Sequence, residues 1–79
     1  MAWSDEPTDA QVGALYHFIR WKMPDAEAIR ACEWLRENTT RREVSYELNR
    51  VRRLYLDHKL TLDRCFEGDI WEGYTYERS

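Results

Sequence analysis

The sequence predicts an all-α protein: a compact three-helix bundle with a C-terminal aromatic arm or short fourth helix packed across it. Three observations carry that expectation. Apolar residues recur at helical spacing in three successive segments. A Thr-x-x-Gln or Thr-x-x-Glu box opens the first and the third of them. Pro24 and the polar run Asn38-Thr39-Thr40 divide the segments. At 79 residues the chain is read as one domain, with 1–7 a flexible lead-in and 60–79 the arm.

The first helix is expected over about residues 8–22. The Thr8 hydroxyl can accept the Gln11 N–H while Gln11 reaches back, and Asp9 suits the positive end of the dipole. Val12, Leu15, Tyr16, Ile19 and Met23 share one face. Pro24 pushes Met23 out of the α region and stops the helix near Lys22. The second helix spans about 25–37, with Asp25 as its cap. Ala28, Ala31, Cys32 and Leu35 form its stripe, Ile29 lies at the margin, and Asn38 is placed to take a left-handed C-terminal conformation. The third spans about 40–58 behind the Thr40–Glu43 box, with Val44, Leu48, Val51 and Tyr55 inward and Leu54 beside them. Beyond Lys59 the periodicity weakens. Residues 60–66 suit a short extra helix, and Gly68 and Gly73 break up an arm that folds over the helices.

Composition narrows the function classes. An apolar fraction of 43% with 34% charged residues describes a soluble globular chain. No uncharged apolar run approaches a membrane span, and the acidic start lacks the features of a signal peptide, so a cytoplasmic location is expected. Two cysteines, Cys32 and Cys65, do not make a disulfide scaffold. The net charge of −3 argues against general nucleic-acid affinity. Its distribution is uneven: residues 1–39 and 61–79 are acidic, and residues 40–60 are basic.

The aromatic residues are the main lead. Four Trp, five Tyr and two Phe are more than three short stripes absorb. Phe18 and Trp21 lie opposite the inner face of the first helix, and Trp34 sits off its stripe among Glu27, Arg30 and Glu37. Their cover is either self-packing, with Trp3, Phe66, Ile70 and Trp71 as candidates, or a partner. The arm alternates aromatic and acidic residues. A protein-binding surface would therefore use Phe18, Trp21, Trp34, Phe66, Trp71 and Tyr74 as anchors, with Asp69 and Glu72 fitting a basic protein partner. The competing account is an arm that completes a small core.

The second functional expectation is a small nucleic-acid-binding module. Arg42, Asn49 and Arg53 line an outward stripe of the third helix, with Tyr46 and Arg50 beside it. These side chains contact phosphates, read adenine and stack on bases. A solvated face, with Glu43 and Glu47 pairing at i+3 or i+4 with Arg50 and other neighbours, is the ordinary alternative. Self-association through the two-faced first helix is a third possibility. His17, Cys32, His58 and Cys65 have no metal-ligand spacing, so no metal and no cofactor are expected. His58 is expected to place a favourable charge at a helix C-terminus. The chain has no phosphate loop and no nucleophile motif, and Asp69 with Glu72 is a weak carboxylate pair, so a non-enzymatic role is expected.

The two boxes, Thr8-x-x-Gln11 and Thr40-Arg41-Arg42-Glu43-Val44-Ser45, resemble a small helical domain of bacteriophage and bacterial accessory proteins. Its helices open with T-x-x-Q and T-[KR]-x-E-A-S. Val44 stands here for the usual Ala and Leu48 for the usual Ile, and the resemblance covers residues 8–55. It implies a helical module attached to proteins that handle nucleic acid, and it carries no catalytic residue. Separately, a small acidic chain with aromatic surfaces looks like phage-encoded proteins that bind and block a host machine, so an inhibitor docking on a host nucleic-acid-handling complex is one instance of the protein-interaction expectation.

Overall fold

In the computed structural model, which describes residues 5–76, the elements begin where the sequence supplies caps. Thr8 is extended and its hydroxyl accepts the Gln11 N–H at 3.1 Å, while Gln11 Oε1 accepts the Thr8 N–H at 3.1 Å. This reciprocal box starts α1, Asp9–Ile19. Thr40 and Glu43 repeat it at 3.3 and 3.0 Å to start α3, Arg41–Leu56. Between them lies α2, Asp25–Asn38. The main helices are followed by a single-turn α4, Leu62–Cys65, capped by Thr61, and by a 3₁₀ turn, Asp69–Trp71. The expected short fourth helix and the arm are thus both present.

Several boundaries differ from the expected ones, each for a local reason. α1 ends at Ile19 rather than near Lys22, because the chain tightens into a turn in which the Lys22 N–H bonds the Ile19 carbonyl at 3.0 Å. That turn brings Met23 into the core ahead of Pro24. Asp25 does not cap α2. Pro24 occupies the cap position, and the Asp25 carboxylate instead accepts from the Tyr16 hydroxyl, joining α1 to α2. Asn38 does not turn left-handed. It stays helical and its amide donates to the Trp34 carbonyl at 2.9 Å, while the Thr39 hydroxyl donates to the Leu35 carbonyl at 2.6 Å. The left-handed residue is His58, with φ 57°. Its N–H bonds the Tyr55 carbonyl at 3.1 Å, and the Lys59 N–H bonds the Leu54 carbonyl at 2.8 Å, which closes α3 in a Schellman motif.

α1 is the element on which both α2 and α3 pack, whereas α2 and α3 approach each other little. Val12, Leu15 and Ile19 from α1 meet Ala28, Ala31, Cys32 and Leu35 from α2, and Val44 and Val51 from α3. Small residues on α2 allow that close approach. The cleft left between α2 and α3 is filled by the C-terminal segment: Leu60, Cys65, Ile70 and Trp71 are all buried. The arm is therefore a structural wedge. It also rotates the inward sector of α3. Glu47 is buried on the arm side, and Tyr55, expected inside, is half-exposed at the α1 side against Phe18. Residues 5–7 lie against the bundle, with Pro7 buried and the Asp5 carbonyl accepting the otherwise orphaned Arg41 N–H at 2.8 Å. Trp3 lies outside the described residues. No helix among the described residues is long and apolar enough to cross a membrane.

Candidate functional site

The arm is held by one carboxylate. Glu47, 4% exposed, accepts two hydrogen bonds from Arg50, at 2.8 and 2.6 Å, and one from the Trp71 indole N–H at 2.7 Å. Arg50 also donates to the Cys65 carbonyl at 3.3 Å. The Glu47–Arg50 pair on α3 thus ties down both the 3₁₀ turn, through Glu47, and α4, through Arg50. The geometry meets the condition for a buried ion pair, since the carboxylate's hydrogen-bonding capacity is met from two directions. Glu47–Arg50 is thus not the ordinary solvated helix pair that sequence suggests but a pair with its carboxylate buried. Arg50 is likewise a structural residue whose guanidinium is already occupied.

Around Trp71 the aromatic residues of the arm collect. Its ring stacks on Trp34 of α2 with centroids 6.1 Å apart and meets Phe66 edge-on at 4.9 Å and Tyr74 at 5.4 Å. Phe66 stacks on Tyr74 at 5.6 Å and on Tyr76 at 5.1 Å. Four of the expected anchors, Trp34, Phe66, Trp71 and Tyr74, therefore pack on one another. Trp71 is sealed in the core and cannot act as a surface anchor in this conformation. Trp34, Phe66 and Tyr74 keep part of their surface. The two anchors on α1 and the turn after it behave differently. Phe18 is half-buried with its ring 5.1 Å from that of Tyr55. Trp21 is 70% exposed, its ring covered on one side by the Arg20 guanidinium at 4.2 Å.

Asp69 and Glu72 are exposed, as the acidic flank of the arm was expected to be. With Glu43 they border a hollow of about 360 Å³ that is walled by Trp34 and Asn38. A second hollow shares Glu43, Asp69 and Ile70 with it and extends to Tyr46. The two adjoin as one groove between α3 and the arm, with three exposed carboxylates, an aromatic ring at each end and the Glu47–Arg50 pair also lining the second hollow. Glu43 was missed from sequence because its cap role accounts for it fully, and only Oε1 is used in that cap. Among the described residues no group of three His, Cys, Asp or Glu side chains converges closely enough to hold a metal ion.

The basic stripe is on another side of α3. Arg42, Tyr46, Asn49 and Arg53 are exposed, with the Arg42 guanidinium 5.8 Å from the centre of the Tyr46 ring. The structure adds Arg52, Lys59 and Arg64, which periodicity did not place there because two of them lie beyond the helix. Cys32 and Cys65 are buried, and burial raises each thiol pKa from the ordinary 9.0 to about 11. No protein-family model matches the chain, and no curated protein or solved structure is significantly similar to it.

Proposed function

We propose that the chain is a non-enzymatic protein-interaction module that docks on a basic protein partner through the groove between α3 and the arm. One observation carries the reading: Trp34 and Tyr46 stand with Glu43, Asp69 and Glu72 around one open groove. Such a lining suits a lysine or arginine side chain, whose charge is met by the carboxylates and whose flat or aliphatic surface is met by the rings. The exposed Trp21 offers an additional contact at the far end of α1.

The biological setting is a small accessory or inhibitory subunit of a nucleic-acid-handling complex. Support comes from the resemblance of the two threonine boxes, although both boxes are spent on capping helices and so speak for the fold more than for the site.

The experiment is calorimetric titration with a short Lys/Arg-rich peptide. Binding is expected to weaken with salt and to fall about tenfold in the D69N/E72Q variant, because rim carboxylates contribute modestly and are screened. Both side chains are exposed, so the variant retains the fold. Equal affinity of the variant and the parent chain would rule the groove out.

A further inference from the structure

Five cations on and just beyond α3 are not consumed by the chain's acidic residues. Arg42, Arg52, Arg53, Lys59 and Arg64 are all exposed, and among the described residues none of them forms an ion pair. Four of the five gather around the C-terminal half of α3. A hollow of about 530 Å³ on one flank of the helix is bordered by Asn49, Arg53, Lys59 and Arg64, with Asp57 and Glu67 also on its rim. A second hollow on the other flank shares Asn49, Arg53 and Asp57 and adds Arg52 and Leu56. The outer edge of α3 therefore stands as a ridge with Asn49, Arg53 and, at its C-terminal end, Asp57 on its crest, and with positive charge on both slopes.

We propose that this ridge binds the phosphate backbone of duplex DNA, lying along the major groove with Arg52 on one strand's phosphates and Arg53, Lys59 and Arg64 on the other's. A helix ridge fits the B-form major groove, which is about 12 Å wide, and the deep, narrow major groove of duplex RNA does not admit it. A single strand is disfavoured by the absence of stacking platforms. The one aromatic residue on the ridge line is Tyr46, which also walls the acidic groove, and a single ring is not a platform for successive bases. Asn49 on the crest presents an amide of the kind that pairs with a base edge. The site adjoins the acidic groove, with Arg50 lining a hollow of each, and the free cations lie on the ridge side, so that the module would join a basic protein to DNA.

The test is fluorescence anisotropy with labelled duplex DNA, matched single-stranded DNA and duplex RNA over a series of salt concentrations. About four phosphate contacts give a log–log salt slope near −3.6, or about a hundredfold loss of affinity between 50 and 200 mM salt. The R53Q/K59Q/R64Q variant is expected to shrink that slope by about 2.7, and its urea midpoint verifies that it is folded. Should the triple variant unfold, R53Q and R64Q singly each lower the slope by about 1. No binding at the lowest salt, preference for single strands or duplex RNA, or an unchanged slope in the variants would overturn the proposal. D69N/E72Q is expected to keep duplex binding at least as strong as the parent's, so failure here and failure of the acidic groove are read separately.

Discussion

Glu47 is the side chain on which the C-terminal third of the molecule depends. Replacing Trp71 with Phe keeps a ring in the core but removes the N–H that donates to Glu47 at 2.7 Å. The expected loss is about 1–3 kcal/mol in urea unfolding, the usual cost of depriving a buried acceptor of a partner. Gly68 acts on the same carboxylate from outside. A Cβ at that position would lie 2.3 Å from Glu47 Oε1, so Gly68→Ala is expected to displace the carboxylate and destabilise, although an alanine in a loop ordinarily does neither. Trp21→Ala, by contrast, is expected to change stability by less than about 0.5 kcal/mol, since the ring is 70% exposed. The contrast between Trp21 and Trp71 also shows what the sequence could reveal. Helical spacing placed Trp21 off the core correctly. Nothing in the spacing of the arm distinguished Trp71 from its neighbours, because its burial depends on a carboxylate 24 positions earlier in the chain.

At the level of the elements, caps and patterning agree with each other. The two threonine boxes and the stripes of α1 and α2 were legible because they are local, and local signals need no knowledge of the tertiary fold. Thr8→Ala and Thr40→Ala should each cost about 1 kcal/mol, measured by the shift in urea midpoint at constant slope. The C-terminus of α3 was not legible in the same way. His58 was expected to place a charge at the helix C-terminus, and it does stand there, but spacing gave no sign of its left-handed turn in the Schellman motif at φ 57°. His58→Gly is therefore expected to stabilise the chain by up to about 1 kcal/mol. The inward sector of α3 was misplaced at two side chains, with Tyr55 expected inside and Glu47 outside. A polar residue facing an arm cannot be told from one facing water until the arm is placed.

Across the whole molecule, charge is sorted by face: an acidic groove with two aromatic walls on one side of α3, and a basic ridge on another. A net charge of −3 conceals both. The same fold hides its thiols. With Cys32 and Cys65 both raised to about 11 by burial, neither is expected to react with a thiol reagent at neutral pH unless the protein unfolds. The folded pKa lies above the ordinary value, so the contribution of the neutral thiols is fully present below pH 9.0. It declines as the pH rises from there through about 11. Unfolding midpoints measured across that window check the sign. The central claim is that the arm belongs to the core and is locked to α3, leaving the groove as a fixed surface. Hydrogen exchange at the tryptophan indole N–H groups tests it most directly. The account predicts that the Trp71 indole proton exchanges slowly, at a rate set by global unfolding, while that of Trp21 exchanges freely. Equal, fast exchange at both would mean that the arm is not locked, and the groove it forms would have no fixed shape.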